Sequence, residues 1–201
     1  RRLQKTKADS ISGQNRLASI GKCWALANEK NDAQAQCDLG SCYFTGNGVK
    51  RDIHSALGWF RKAAAQGNLE GVVRVADCQF YGYGMDKNQT EALQVYIKAA
   101  EQGQLRAQFR LGKCYEDGSG VEQNMTTAAF WYKKASEQKY EPAINALTKI
   151  TRISNCWNKA VKNNDPAAQL ELGKCYWVGD GIPENQETAF LWFKKSGQQG
   201  N

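Results

Sequence analysis

The chain has 201 residues, of which 41% are hydrophobic, and its 27 basic and 20 acidic residues give a formal net charge of +7. The hydrophobic content indicates a folded chain, and no apolar run approaches the about 20 residues that a membrane-spanning helix needs. The single histidine, His54, argues against a histidine-rich metal site and against a Ser-His-Asp triad.

A short phrase of the form Leu-Gly-x-Cys-Tyr recurs along the chain and indicates a repeat. The phrase holds Cys42, Cys114 and Cys175, and the near-copy Val-Ala-Asp-Cys-Gln holds Cys78. Cys42, Cys78 and Cys114 lie at intervals of 36 residues, and Cys175 follows after 61 residues. Pairs of large side chains repeat in the same frame, at Trp59–Phe60, Val95–Tyr96, Trp131–Tyr132 and Trp192–Phe193. Because the last cysteine interval is one period of 36 plus 25 residues, one unit lacks 11 residues. A fixed period of this length predicts a solenoid of stacked units.

The period divides the chain into a basic end and a single repeat array. The predicted segments are a basic N-terminal end 1–8, a partial unit 9–32, full units 33–68, 69–104 and 105–140, a shortened unit 141–165 and a full unit 166–201. Residues 156–201 also match residues 23–68 at an offset of 133. In each full unit a Gly-x-Gly sequence links two helical patterns, and paired glycines end a helix sharply. The shortened unit lacks this sequence, so we predict that a tighter turn joins its two helices.

Each full unit carries two amphipathic helical patterns. In the first helix of the third full unit, Ala107, Leu111 and Cys114 lie at i, i+4 and i+7 on one face. Gly112 lies inside this helix, where glycine costs about 1 kcal/mol relative to alanine, and we predict that it lets a neighbouring helix approach closely. The second helix of the first full unit has an apolar stripe at Ala56, Trp59, Phe60 and Ala63. One hairpin cannot bury its own apolar face, so the hairpins are predicted to stack in an all-α array.

The segment AQFRLGKCYEDGSGVEQNMTTAAFWYKKASEQ resembles a Sel-one-like repeat, a relative of the tetratricopeptide hairpin. The family pattern is A-x-x-x-L-G-x-x-Y-x-x-G-x-G-V followed by A-x-x-W-[FY]-x-K-A-A-x-x-G, and the four full units carry most of it. The resemblance implies a right-handed α/α superhelical solenoid. It also implies a non-enzymatic scaffold or adaptor that uses no cofactor and binds a partner protein or peptide. Gln79 stands where the family usually has tyrosine, and Lys139 replaces a capping glycine.

In such arrays the first helices line the concave wall, and the face opposite the Ala-Leu-Cys stripe points into the groove. The predicted partner-binding residues on this face are Asp38, Arg74, Asp77, Arg106, Arg110, Lys113, Glu171 and Lys174. We expect the row of Arg74, Arg110 and Lys113 to hold acidic side chains or a chain-end carboxylate, and the alternative is a merely solvated face. The candidate aromatic anchors share one repeat position and are Phe44, Phe80 and Trp177. The alternative is that these side chains are buried in the core.

Two alternatives to a protein scaffold of this kind stay open. The net positive charge and interleaved aromatic residues also fit a nucleic-acid-binding repeat protein, but acidic residues such as Glu70 and Asp77 interrupt a phosphate track. A bacterial secreted or periplasmic repeat protein that acts in host interaction or effector immunity would have the same pattern. The sequence stops at a repeat boundary, so we also expect self-association through an exposed C-terminal repeat.

Seven cysteines raise the question of disulfide bonds. Those of the Leu-Gly-x-Cys phrase lie on an apolar stripe, where cysteine serves as a small buried hydrophobe. The total is odd and no C-x-x-C pair occurs, so we predict reduced thiols and a cytoplasmic location. The alternative is the disulfide pairs Cys23–Cys42 and Cys156–Cys175, each 19 residues apart across a helix junction, in a secreted or lumenal protein.

Overall fold

A computed structural model describes residues 20–200, which form helices joined by short loops and contain no β-strand. The helices are α1 (described over 20–29), α2 (Ala33–Thr45), α3 (Ile53–Ala65), α4 (Leu69–Tyr81), α5 (Gln89–Glu101), α6 (Leu105–Asp117), α7 (Met125–Glu137), α8 (Glu141–Lys162), α9 (Pro166–Val178) and α10 (Gln186–Gly197). None of the helices within this range is long and apolar enough to cross a bilayer. The predicted basic end 1–8 and much of the partial unit 9–32 lie outside the described residues.

Each full unit folds as a hairpin of a first helix (α2, α4, α6 or α9) and a second helix (α3, α5, α7 or α10). Every first helix ends at a left-handed glycine with φ between 69° and 77°, at Gly46, Gly82, Gly118 and Gly179. Every second helix begins after an aspartate or asparagine whose side chain accepts a backbone N–H, at Asp52, Asn88, Asn124 and Asn185. The predicted role of the Gly-x-Gly linker as a helix end is therefore confirmed.

Glycines inside the first helices bring the two helices of a hairpin close together. A Cβ atom added at Gly112 would lie 2.5 Å from the Tyr132 ring, and one at Gly40 would lie 2.6 Å from the Phe60 ring. In the last unit, a Cβ atom added at Gly173 would likewise lie 2.5 Å from the Phe193 ring. The predicted close approach at these glycines is confirmed, because a side chain there would displace a packed aromatic ring.

Neighbouring hairpins stack so that the first helices lie closest together. Consecutive helices pack against each other along the chain, and α2 also contacts α4, as α4 contacts α6. Among the described helices, no second helix packs comparably against the next second helix. First helices that lie closer together than second helices belong on the inner side of a curved array.

The shortened unit forms one helix, so the predicted tighter turn is wrong. α8 runs without interruption for 22 residues. Its sequence contains no glycine, and its proline, Pro142, lies in the first turn, where proline fits a helix. The first half packs through Ala143 against α7, and the second half packs through Ile153 and Ala160 against α9. One long helix thus takes the place of a hairpin and connects the third unit to the last.

The offset of 133 reappears in two equivalent hydrogen bonds to the buried glutamines Gln36 and Gln169. Gln66 Nε2 donates to Gln36 Oε1 at 2.8 Å, and Gln199 Nε2 donates to Gln169 Oε1 at the same distance. The amide of Gln36 also donates to a carbonyl of α1, and that of Gln169 to the carbonyl of Ala160 in α8. The second half of α8 therefore meets α9 as α1 meets α2.

Lys139 adopts a backbone conformation that favours glycine. It has φ 62°, and the same repeat position holds Gly67 with φ 78° and Gly103 with φ 85°. Asn31 and Asn164 take this position with φ 51°, and asparagine tolerates the left-handed region better than most residues. Lysine has no such tolerance. Of the five equivalent residues named here, only Lys139 therefore has a strained backbone.

We predict that Lys139→Gly raises the free energy of unfolding by about 1 kcal/mol, because it removes the cost of a left-handed non-glycine residue. Denaturant unfolding followed by circular dichroism measures this change. The matched control is Gln138→Gly, at φ −96°, which is expected to lower stability through backbone entropy. Equal destabilisation by both substitutions would contradict the strain at Lys139.

Candidate partner-binding surface

Four of the predicted residues, together with Glu70, form an ion-pair network between α4 and α6. Arg110 holds Asp77 with two hydrogen bonds, Nε to Oδ1 at 2.7 Å and Nη2 to Oδ2 at 3.1 Å. Arg106 bridges both carboxylates, with Nη1 3.3 Å from Asp77 Oδ2 and Nε 3.0 Å from Glu70 Oε1. Arg74 lies 2.7 Å from the same Glu70 oxygen. These five residues, here called the inter-unit network, join the second full unit to the third.

Asp77 is the buried centre of the inter-unit network. Its side chain is only 10% exposed, and Tyr96 Oη donates a hydrogen bond to its Oδ1 at 2.8 Å. Burial and the adjacent carboxylate raise the pKa of Tyr96 above its usual range, so the phenol stays protonated and acts as the donor. A buried carboxylate with these partners is costly to leave unpaired, so its oxygens are committed to contacts within the protein.

Glu70 anchors the more exposed end of the network. Burial alone would raise its pKa, but Arg106 and Arg74 outweigh this effect and hold the pKa of Glu70 below its usual value. Gln104, the N-cap residue of α6, also donates to Glu70 Oε2 at 2.6 Å. Glu70 therefore stays ionised at neutral pH and fixes side chains from both units on one surface.

Lys113 is paired within its own helix. Its Nζ lies 3.1 Å from Glu116 Oε2 and 3.3 Å from Asp117 Oδ1. Tyr132 donates to Glu116 Oε2 at 2.5 Å, as Tyr96 does to the acid of the preceding unit. The three cations of the predicted row, Arg74, Arg110 and Lys113, thus all have acidic partners inside the protein, which leaves little net positive charge for an acidic ligand.

A second charged cluster lies where α8 meets the last unit. Arg152 donates to Glu171 Oε1 at 2.9 Å and also to Asp180, and Lys149 Nζ lies 3.4 Å from Asp180. The sequence prediction included Glu171 but missed Arg152, Lys149 and Asp180, because a turn was expected within residues 141–157. Only a continuous α8 presents its basic residues to α9 and to the linker that follows.

Lys174 and Asp38 are predicted residues at exposed positions apart from the inter-unit network. The Lys174 side chain is 60% exposed and lies 3.9 Å from Glu171. Asp38 accepts a hydrogen bond from Gln34 at 3.0 Å on the exposed side of α2. The structure therefore joins α4 and α6 through the inter-unit network. Glu171 and Lys174 of α9 belong to the junction with α8, and Asp38 of α2 stays a separate position.

The three candidate aromatic anchors differ in their surroundings. Phe80 belongs to the core, and Phe44 is half-buried with its ring 5.5 Å from Tyr83. Trp177 is 51% exposed. The candidate anchors did not include Tyr81, which lies on the predicted groove face, or Tyr83; both are exposed, and their rings stack at 5.5 Å.

Phe44, Tyr81 and Tyr83, here called the aromatic patch, adjoin the inter-unit network. The Arg110 guanidinium lies 5.4 Å from the centre of the Tyr81 ring, and its Nη1 donates to Tyr81 Oη at 3.3 Å. Because Arg110 is fixed by Asp77, it also fixes the Tyr81 ring. The patch thus offers large, pre-positioned aromatic surface, which is the kind of surface that dominates protein interfaces.

An open cleft of about 570 Å³ lies between the third and last full units. Lys113, Asp117 and Met125 line one side, and Lys149, Ile182 and Pro183 line the other. The cleft follows from the fold, because α8 supplies a single helix where the other units supply two. Its mixed polar and apolar walls are suited to an extended peptide segment.

The cysteines contribute to packing in this structure. All seven are free thiols, so the alternative pairs Cys23–Cys42 and Cys156–Cys175 are not formed. Burial raises the pKa of Cys37 to about 12. No group of three or more His, Cys, Asp or Glu side chains within residues 20–200 is arranged to hold a metal ion. The cytoplasmic location stays a prediction.

We predict that Arg110→Ala lowers the free energy of unfolding by about 3 kcal/mol, because it removes the main partner of the buried Asp77 carboxylate. Arg74→Ala is the matched control, and its cost should stay below about 1 kcal/mol, since Glu70 is more exposed and keeps Arg106. Urea unfolding of both variants measures the difference. In an Asp77→Asn background the cost of Arg110→Ala should shrink, and an undiminished cost would contradict the pairing.

The chain was compared with known families and solved structures. The Sel1 repeat model matches residues 33–68, 70–104, 105–140 and 166–201. A Sel1 repeat protein from Oxalobacter formigenes is similar, with 30% identity and a TM-score of 0.52, over 92% of this chain and 65% of that one. Among curated proteins, none matches.

Two further crystal structures share the fold. One is c5321, a protective antigen present in uropathogenic Escherichia coli strains, with 24% identity and a TM-score of 0.55 over 90% of this chain and 49% of that one. The other is a sel1 repeat protein from Klebsiella pneumoniae, with 18% identity and a TM-score of 0.51 over 86% and 89% of the two chains. The predicted all-α solenoid is confirmed, and the four matched repeats show that the chain belongs to the Sel1 repeat family.

Proposed function

We propose that this chain is a scaffold that binds an extended segment of a partner protein on the surface of its first helices. Sel1 repeat proteins are in general non-catalytic scaffolds for protein interactions. The observation that carries the proposal is the aromatic patch, held in place by Arg110 beside the inter-unit network. Rigid, exposed aromatic rings lose little entropy on binding and serve well as anchors.

The paired charges define the kind of partner. Because the cations of α4 and α6 already have acidic partners, a polyanion gains little there. We therefore favour a peptide that contacts the tyrosine rings of the patch and hydrogen-bonds to the polar groups around them, over a nucleic acid. The exposed Trp177 and Lys174 of α9 and the cleft of about 570 Å³ extend the same surface toward the last unit.

A peptide library displayed on phage and selected on the purified chain provides the probe. We expect Tyr81→Ala with Tyr83→Ala to weaken the selected peptides about tenfold or more, as loss of aromatic anchors does at protein interfaces. Val161→Ala, at an exposed apolar position of α8, is the matched control and should leave Kd unchanged. Fluorescence anisotropy measures both. Peptides that bind both variants equally would place the site elsewhere, and peptides weakened only by Val161→Ala would move it to α8.

The proposal includes self-association through the last unit. Phe190 is 64% exposed, whereas Leu57 and Leu93, at the same repeat position, are 2% and 4% exposed. Leu57 and Leu93 belong to cores that include residues of the following first helix, and no helix within residues 20–200 covers Phe190 in that way. A second copy that meets this face with its own Phe190 would bury both rings in a two-fold interface.

We expect Phe190→Glu to abolish a concentration-dependent dimer, because it places a charge in an apolar contact. Sedimentation velocity over a range of protein concentrations measures the change. Val161→Glu adds the same charge at another exposed apolar position and should leave the dimer intact. A chain that stays monomeric at every concentration, or a dimer that survives Phe190→Glu, would contradict this interface.

A further inference from the structure

Charge is distributed unevenly between the two sets of helices. The first helices α2, α4, α6 and α9 together carry five basic and six acidic residues. The helices α3, α5, α7, α8 and α10 together carry eleven basic and five acidic residues. Lys149 and Arg152 are two of these eleven and pair with Glu171 of α9 and Asp180 of the following linker. The other nine basic residues still outnumber the five acidic ones, so a positive excess lies on the helices other than the first helices.

One repeat position on this side is lysine in five helices, whereas α1 has Leu26 there. The row consists of Lys62, Lys98, Lys134, Lys159 and Lys195, one each from α3, α5, α7, α8 and α10. Arg61, Lys133, Lys162 and Lys194 flank it, and all nine residues, here called the cationic face, are exposed. Within residues 20–200 none of the nine makes an ion pair, although Glu101 and Glu137 lie on the same helix sides as Lys98 and Lys134. The cationic face thus keeps its charge, in contrast to the inter-unit network.

Large apolar side chains project from the same helix sides. Phe130 and Leu191 are both exposed, and each lies three residues before a lysine of the cationic face, Lys133 or Lys194. Residues three apart are neighbours on a helix surface. Lys134 Nζ lies 4.7 Å from the Phe130 ring centre, so the ammonium group and the ring are adjacent on the surface of α7. Cation and apolar group are therefore presented together at the surface of α7 and α10.

We propose that the cationic face binds the anionic phospholipid surface of a membrane. Lysine is a compact charge on a flexible stem, which suits mobile lipid headgroups, and each one near an anionic surface adds about 1 kcal/mol of attraction. In this arrangement the exposed side chains of Phe130 and Leu191 insert at the boundary between lipid headgroups and acyl chains. A nucleic-acid site is less well matched for two reasons. The face has only one arginine, Arg61. The tryptophan rings beside it are also unavailable for base stacking, because lysines lie over their faces, in the pairs Lys62–Trp59, Lys134–Trp131 and Lys195–Trp192.

Vesicle co-sedimentation at low salt tests this assignment. We expect the chain to bind vesicles that contain phosphatidylserine and not vesicles of phosphatidylcholine alone. Lys133→Gln with Lys194→Gln should weaken binding about 30-fold, which corresponds to two lysines at the surface. The side chains of these two lysines make no ion pair or ring contact among the described residues, so the fold is retained. The matched control, Lys50→Gln with Lys87→Gln, removes the same charge from two exposed linkers and should bind as the unaltered chain does.

Three results would overturn the proposal. Absence of binding to either vesicle, or equal binding to both, would remove the anionic surface as the ligand. Equal weakening by the Lys133/Lys194 and the Lys50/Lys87 substitutions would show that the vesicles respond to the net charge of the chain and not to the cationic face. Tighter binding to a single-stranded RNA than to phosphatidylserine vesicles, lost in the Lys133→Gln and Lys194→Gln variant, would assign the face to nucleic acid. Phe130→Ser with Leu191→Ser should weaken vesicle binding at moderate salt, and unchanged binding there would exclude insertion of these side chains.

Discussion

The array depends on the contact between an aromatic ring of each second helix and a small residue of its first helix. Phe60, Tyr132 and Phe193 lie so close to Gly40, Gly112 and Gly173 that a Cβ there would overlap the ring. The second unit has Ala76 at this position, in the same core cluster as the buried Tyr96. Because this contact holds each hairpin closed, the remaining apolar stripes must be buried against neighbouring units, and stacking follows.

Stacking leaves two surfaces with different electrostatics. On the first helices, carboxylates such as Asp77 and Glu70 hold the arginines, so that surface is rigid and close to neutral. The lysines on the opposite side have no such partners among the described residues. A scaffold that binds a peptide on one surface and an anionic membrane on the other can hold its partner at that membrane, which unites the two proposals.

Sequence spacing predicted the parts of the fold that each unit repeats, and it failed where one unit differs. The Gly-x-Gly linkers and the glycines under the rings recur, so a period of 36 places them. The turn expected in residues 141–157 was wrong, because the loss of a linker also removes the residues that end a helix, and α8 continues. The helical face of Asp77 was predicted, but its burial depends on Tyr96 and Arg110, which lie 19 and 33 residues away. The partner-binding role of these residues stays a prediction.

Hydrogen–deuterium exchange of the chain with and without a saturating selected peptide tests the central claim most directly, since it reports protection along every helix at once. The account predicts slower exchange in the last turn of α4, in the linker that carries Tyr83 and in α6, with α3, α5 and α7 unchanged. Protection confined to the second helices, or to α10, would contradict a partner site on the first helices.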